Sequence, residues 1–438
     1  MAGHEPLSTV PPSPPAAGRG LPARLGVMMF LELLVFGTWL PTLGLVLASH
    51  GAASIIAKAY LLAAVAAIVS PLFMGALGDR FLAPRNLLAL LHLGGAIVIL
   101  AVPAVLGTGE LTLTLGMLFL YMLLFQPTLA LANSVGLTLL GHNQRLFPYV
   151  RVFGTVGWVA AGLGVGAAGY SASTAVFYFA AASGVVLALY ALTLPYTPPP
   201  SKGSKLALGD AIGIRALVLF RDRRFAILMV CILLTAVSLG FYNAYTSPFL
   251  AALGIENVAG VLALGQISEV AFIVTIPWAL SRIGMKWALA VGMGMWAVRY
   301  LLFVLATDGV PTAAVVGIAL HGICADYFIV VGAMFVGRLA PPHLASQAQS
   351  WLIMMISGFG GAIGSAVSGA IYASHVAPQL AAGASAWQPL WLFPIGLASI
   401  TCLAWIVLFP RDPSPDGGPG SDQTTSNPSE LSKCSTTT

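Results

Sequence analysis

The sequence predicts an all-α membrane protein of twelve transmembrane helices arranged as two pseudo-symmetric bundles of six. Composition, the spacing of apolar runs and an echo between the two halves of the chain predict it. Of 438 residues, 58% are hydrophobic and only 8% charged, against roughly 25% charged in a soluble domain. The 19 Lys and Arg and 14 Asp and Glu are too few to clothe a water-soluble globule of this length. An ordinary cytosolic protein is therefore excluded, and the solvent for most of the chain is lipid. The 48 glycines and 29 prolines sit largely inside apolar runs, where helices packed in a bilayer accommodate them.

A hydrocarbon core of about 30 Å needs ~20 apolar residues per helix. In chain order the runs that meet this are 24–49, 53–77, 86–107, 111–139, 150–170 and 173–195, then 224–251, 258–281, 286–307, 311–337, 345–373 and 387–410. The first is too long for a cleavable signal peptide and follows a Pro-rich leader. Residues 1–20 and 411–438 lack apolar periodicity and are rich in Pro, Gly, Ser and Thr, so both are expected to be disordered tails. The predicted organisation is an N-terminal bundle over 21–196, a cytoplasmic linker over 197–223 and a C-terminal bundle over 224–410. Within the linker, IGIRALVLF is expected to form a short interfacial helix.

Placing the cations sets orientation. Sixteen of the 19 Lys and Arg fall in the tails or the even-numbered connections, and only Lys58 falls on the opposite side. By the positive-inside rule both termini are cytoplasmic. The echo concerns glycines: Gly154, Gly157 and Gly162 of the fifth span recur as Gly361, Gly364 and Gly369 of the eleventh, a constant shift of 207 residues. A second pair, GALGDRFLAPR (Gly75 to Arg85) and ALSRIGMK (Ala279 to Lys286), stands at nearly the same shift. Parallel six-span repeats with a midplane site between them describe the major facilitator architecture.

Charges inside spans are the most informative residues, because each costs roughly 2.5–3.5 kcal/mol at a helix centre. Five stand out: Glu32, Arg151, Glu269, Arg299 and Asp326. A carboxylate removed from water and left unpaired favours its protonated form, which is what a proton-coupled carrier requires. Glu269 and Asp326 are the leading candidates, and Gln266 shares a helix face with Glu269. A structural ion pair between Asp326 and Arg299 is the competing reading, and Glu32 is a possible further titrating or paired group. Asp79 and Arg80, at the end of the second span, fit a gate better than a substrate contact. His321 reads as a satisfied polar group rather than a relay. Trp158, Trp278, Tyr327 and Phe241 could stack on a planar ligand, although packing is the commoner use of such rings.

No enzyme motif is present: there is no G-x-x-x-x-G-K-[ST] phosphate loop, H-E-x-x-H or G-x-S-x-G. Cys231, Cys324, Cys402 and Cys434 lie far apart, with neither disulfide nor zinc spacing. No cofactor and no metal are expected.

Several segments together resemble the nucleoside:proton symporter family of the major facilitator superfamily, typified by bacterial nucleoside permeases. They are FPYVRVFGTVGW (Phe147 to Trp158), GQISEVAFIVTIPWALSRIGMK (Gly265 to Lys286), HGICADYF (His321 to Phe328) and SQAQSWLIMMISGFG (Ser346 to Gly360). FLELLVFGTWLPTLG (Phe30 to Gly44) and PTLALANS (Pro127 to Ser134) fit as well, and the likeness runs from about residue 25 to 410. The resemblance implies proton-coupled nucleoside uptake by alternating access, in a monomer of the cell's cytoplasmic membrane, with no nucleic-acid partner. Symport of a sugar or other small polar solute, and a transport-inactive sensor on the same scaffold, are the alternatives. The family's proton-sensitive and ribose-binding carboxylates fall on Glu269 and Asp326, and its polar ligands on Gln266 and Asn243. Its basic and hydroxyl pair falls on Arg151 and Thr155, and a stacking ring on Trp158. Two positions depart from the family: Gly240 stands where a glutamine is expected, and Glu32 where relatives usually carry a neutral amide.

Overall fold

Proline and glycine decide where the apolar runs break. The computed structural model describes residues 20–73, 82–198 and 214–410; Asp79, Arg80, most of both tails and residues 199–213 of the linker lie outside them. The first span divides at Pro41 into α1 (Leu21–Trp39) and α2 (Leu43–Ser49), since proline lacks the N–H that continues a helix. The rest of the first half is α3 (Ile56–Phe73), α4 (Pro84–Gly107), α5 (Leu111–Leu140), α6 (Phe147–Ala167) and α7 (Ala175–Thr193).

A 3-10 helix over Ile214–Arg221 stands where the interfacial helix was expected. Its Phe220 meets Phe225 and Trp351 edge to face. Asp222 then caps α8 (Arg223–Ala252) by accepting from the Arg224 amide at 2.7 Å, one of the donors a helix start leaves open.

The eighth span is not the continuous helix 258–281 that apolarity suggests. α9 (Val258–Ile273) stops four residues before Pro277, and a new helix, α10 (Ile276–Thr307), begins there. α10 turns sharply at Gly284, whose φ of +73° is accessible to glycine at little cost. The tenth span is likewise two pieces, α11 (Pro311–Ala319) and α12 (His321–Leu339). The eleventh is α13 (Ala345–Ile353), a π-helical turn over Met354–Gly360 and α14 (Gly361–Ile371); α15 (Gln388–Leu408) closes the chain.

Among the described residues nine apolar helical stretches are long enough to cross a membrane. Leu111–Ala167 and Pro342–Leu408 each hold two of the expected spans, and Val258–Ile273 is a shorter apolar helix, so the pattern is consistent with twelve crossings. The exterior is apolar, with Ile97 72% and Val407 77% exposed, a surface suited to lipid rather than water.

The repeat is visible in the packing. A side chain at Gly157 on α6 would strike the Phe30 carbonyl of α1, and one at Gly364 on α14 would strike the Val237 carbonyl of α8. Phe30 and Val237 are themselves 207 residues apart. The same backbone contact is therefore built twice, and only glycine permits it.

The halves meet along α3 with α14 and at the bundle end away from the termini. Gly369 of α14 lies against the Ala57 side chain, and Gly162 of α6 against Ala263 of α9. The Ser171 hydroxyl accepts from the Ala259 amide at 3.1 Å, and the Ser247 hydroxyl from the Leu45 amide at 3.2 Å. Towards the other end, the facing sides of α6 and α9 separate and line a cavity.

Candidate functional site

Two helix faces bring the polar groups together. Arg151, Thr155 and Trp158 recur on α6 at intervals of four and three, and Gln266 and Glu269 on α9 at three, so each set projects from one face. Between the halves lies a cavity of about 530 Å³ whose lining includes Gln126, Arg151, Trp158, Asn243, Gln266, Glu269 and His321. A smaller cavity of about 280 Å³ shares Phe36, Leu129, Arg151, Trp158, Gln266 and Glu269 with it and adds Glu32, Asn133 and Thr155. The two form one polar region with an aromatic wall, in which Trp158 meets Phe36 edge to face at 5.1 Å.

Glu269 is the carboxylate of the larger cavity. Its Oε1 lies 3.1 Å from His321 Nε2, and the His321 ring stacks on Tyr242 at 4.9 Å. Close backbone packing holds this pair together. Gly322 leaves room for the Ser268 carbonyl and Gly265 for the His321 Cβ, while Ser268 Oγ accepts from the Gly322 amide at 2.8 Å. His321 is thus a direct partner of the cavity carboxylate, a role its isolated position in the sequence conceals. Arg151 interacts electrostatically with both Glu269 and Glu32.

Asp326 takes a different place. It is buried, lines neither cavity, and its Oδ2 has no hydrogen-bond partner. Nor does it pair with Arg299 among the described residues. Arg299 is fully buried, donates from Nε to the Gly317 carbonyl at 2.9 Å, and lies over the rings of Tyr242 and Trp296 at 4.6 and 4.7 Å. Cation–π contact, rather than the carboxylate of the competing reading, faces the guanidinium. Glu32, by contrast, is paired: its carboxylate lies 2.9 Å from His92 Nε2 and accepts from the Thr128 hydroxyl at 2.5 Å. His92 carried no sequence expectation. Its one signal is that it stands 207 residues before Arg299.

Of the aromatic candidates only Trp158 reaches the cavity. Trp278 is 65% exposed on the exterior, Tyr327 is buried with its hydroxyl 2.6 Å from Thr275 Oγ1, and Phe241 stacks on Phe393. Apolar periodicity does not distinguish a ring facing lipid from one facing a cavity. Gly240 lines the cavity and touches Gly364, so α8 and α14 approach where a glutamine would otherwise extend.

A twofold helical membrane protein with a polar, aromatic-walled cavity between its halves is built as a solute carrier. The chain belongs to the nucleoside H+ symporter family, whose model matches residues 20–414. It is similar to YegT of Escherichia coli (strain K12), with 32% identity over 88% of this chain and 93% of that one. It is also similar to the nucleoside permease NupG of the same organism, with 29% identity over 89% and 96%. The crystal structure of the nucleoside transporter NupG superposes with a TM-score of 0.79 and 27% identity, covering 89% of this chain and 99% of that one, and the shared architecture is the major facilitator fold.

Proposed function

We infer that this protein carries nucleosides into the cell together with protons, by alternating access of one cavity to the two sides of the cytoplasmic membrane. The observation that carries the reading is the placement of Glu269, with His321 at 3.1 Å, in a cavity that also presents Arg151, Asn243, Gln266 and the Trp158 ring. The volume of about 530 Å³ falls within the roughly 300–1,000 Å³ of small-molecule sites. Carboxylate and amide oxygens accept from ribose hydroxyls, amide and guanidinium groups donate to base carbonyls, and an aromatic face receives the base. Arg151, Thr155, Trp158, Asn243, Gln266 and Glu269 are assigned to the substrate; Glu269 and Asp326 are assigned to proton coupling, and Asp326, which lines neither cavity, is not assigned to substrate contact.

The cation distribution supports cytoplasmic termini. On that orientation the closed end of the bundle is outermost and the cavity faces inward. With Glu269 ionised, its charge and that of Arg151 attract across the cavity. A proton on Glu269 removes one charge from the region, so the loaded cavity closes at a smaller desolvation cost. Asp79 and Arg80 are assigned to the inward gate, and the transporting unit to a single chain with no nucleic-acid partner. Residues 21–196 and 224–410 are the two moving bundles and 197–223 their linker.

The test of substrate class is a competition panel of nucleosides, free bases and sugars against labelled uridine and adenosine bound to purified protein. Displacement by nucleosides at concentrations at least tenfold below those of bases or sugars is expected. Equal or stronger displacement by a sugar would contradict the reading.

A further inference from the structure

Glu32 and His92 are both almost fully buried, 2% and 3% exposed, and they pair inside the first half, where neither belongs to the substrate set above. A carboxylate at this depth costs roughly 2.5–3.5 kcal/mol to insert, and an amide could take the same hydroxyl and imidazole contacts without that cost. Glu32 nevertheless lines the smaller cavity beside Arg151 and Glu269. We propose that the Glu32–His92 pair is a second proton-binding site, which takes up and releases one further proton in each transport cycle through the cavity it shares with Arg151. The proposal rests on the symport reading.

The groups that face Glu32 can be named element by element. α4 brings His92 at 2.9 Å, α5 brings the Thr128 hydroxyl at 2.5 Å and, electrostatically, Tyr121, and α6 brings Arg151. α7 also packs on α1, but its Tyr190 hydroxyl is engaged with the Arg24 carbonyl. Across the cavity stands Glu269, itself paired with His321. Each half thus holds one carboxylate–imidazole pair, and Arg151 interacts with both carboxylates. When the first-half pair is empty, Arg151 balances Glu32. When the pair holds a proton, Arg151 is left to Glu269. The proton enters from the open cavity, resides on the pair and leaves to the opposite compartment, with no covalent step.

The experiment measures the nucleoside gradient at which net flux reverses in proteoliposomes, with a pH difference of one unit and the potential clamped at zero. Each coupled proton supports about tenfold accumulation per pH unit. The wild type is expected to reverse near a gradient of about 100-fold and Glu32→Gln near about tenfold. Wild-type reversal at about tenfold overturns the proposal, as does a variant that reverses where the wild type does. If Glu32→Gln does not fold, His92→Gln is read in the same way. A wild type that equilibrates nucleoside without any response to the pH difference rejects the symport reading itself, which is a different result.

Discussion

Glu269 is a quarter exposed and paired with a histidine that is almost wholly buried, so solvent reaches the carboxylate while its partner holds it in place. Replacing it by Gln keeps the shape and removes the titration. Glu269→Gln is therefore expected to retain nucleoside binding within about tenfold but to lose the share of accumulation that its proton drives, measured as binding and as uptake in one preparation. Asn243→Ala should do the reverse. Losing hydrogen bonds to a neutral ligand costs roughly 0.5–1.5 kcal/mol each, so affinity is expected to fall severalfold, seen by calorimetry, while coupling persists. Much at this scale was legible in the sequence. The membrane cost of charge singles out Glu32, Arg151 and Glu269, and helical spacing adds Gln266. His92 escaped, and His321 was read only as a satisfied polar group, because an imidazole is cheap enough to be structural; only their partners, Glu32 and Glu269, distant in sequence, reveal the pairs. Asp326 shows the converse: its cost was legible, but its position behind the cavity wall was not.

At the scale of helices, the glycine echo becomes a mechanical statement. Gly157 has no room for a Cβ beside the Phe30 carbonyl, whereas Gly164, on the same helix, has nothing within 4 Å of one. Gly157→Ala should lower the unfolding temperature in detergent and Gly164→Ala should leave it unchanged or raise it, since alanine stabilises a helix interior by about 0.5–1 kcal/mol over glycine. Gly364→Ala should repeat the Gly157 result, because it makes the corresponding contact with Val237. If all three variants melt alike, the repeated contact is not what joins α1 to α6 and α8 to α14. The 207-residue shift was readable because one of its pairs, Gly157 and Gly364, is confined by backbone, which tolerates no side chain. The breaks at Pro41 and Pro277 were present in the sequence as prolines, but apolarity alone ran through them: a hydropathy window measures burial in lipid and not whether each amide finds its acceptor.

For the whole molecule, the two halves meet along α3 with α14 and at one end, and leave a charged cavity between them towards the other. A neutral nucleoside moving with protons carries net positive charge inward, so a membrane potential, negative inside, contributes about 2.3 kcal/mol per 100 mV for each proton. A pH difference contributes about 1.4 kcal/mol per unit. Uptake should accordingly rise when the outside is made more acidic than the inside, and should fall when the gradient is reversed. The most direct measurement is accumulation of labelled uridine or adenosine by proteoliposomes containing the full chain, with an inward proton gradient imposed and then collapsed by a protonophore. The account predicts concentration above the external level only while the gradient stands, with that accumulation diminished in Glu269→Gln. Equal uptake with and without the gradient, or undiminished coupling in Glu269→Gln, would contradict it.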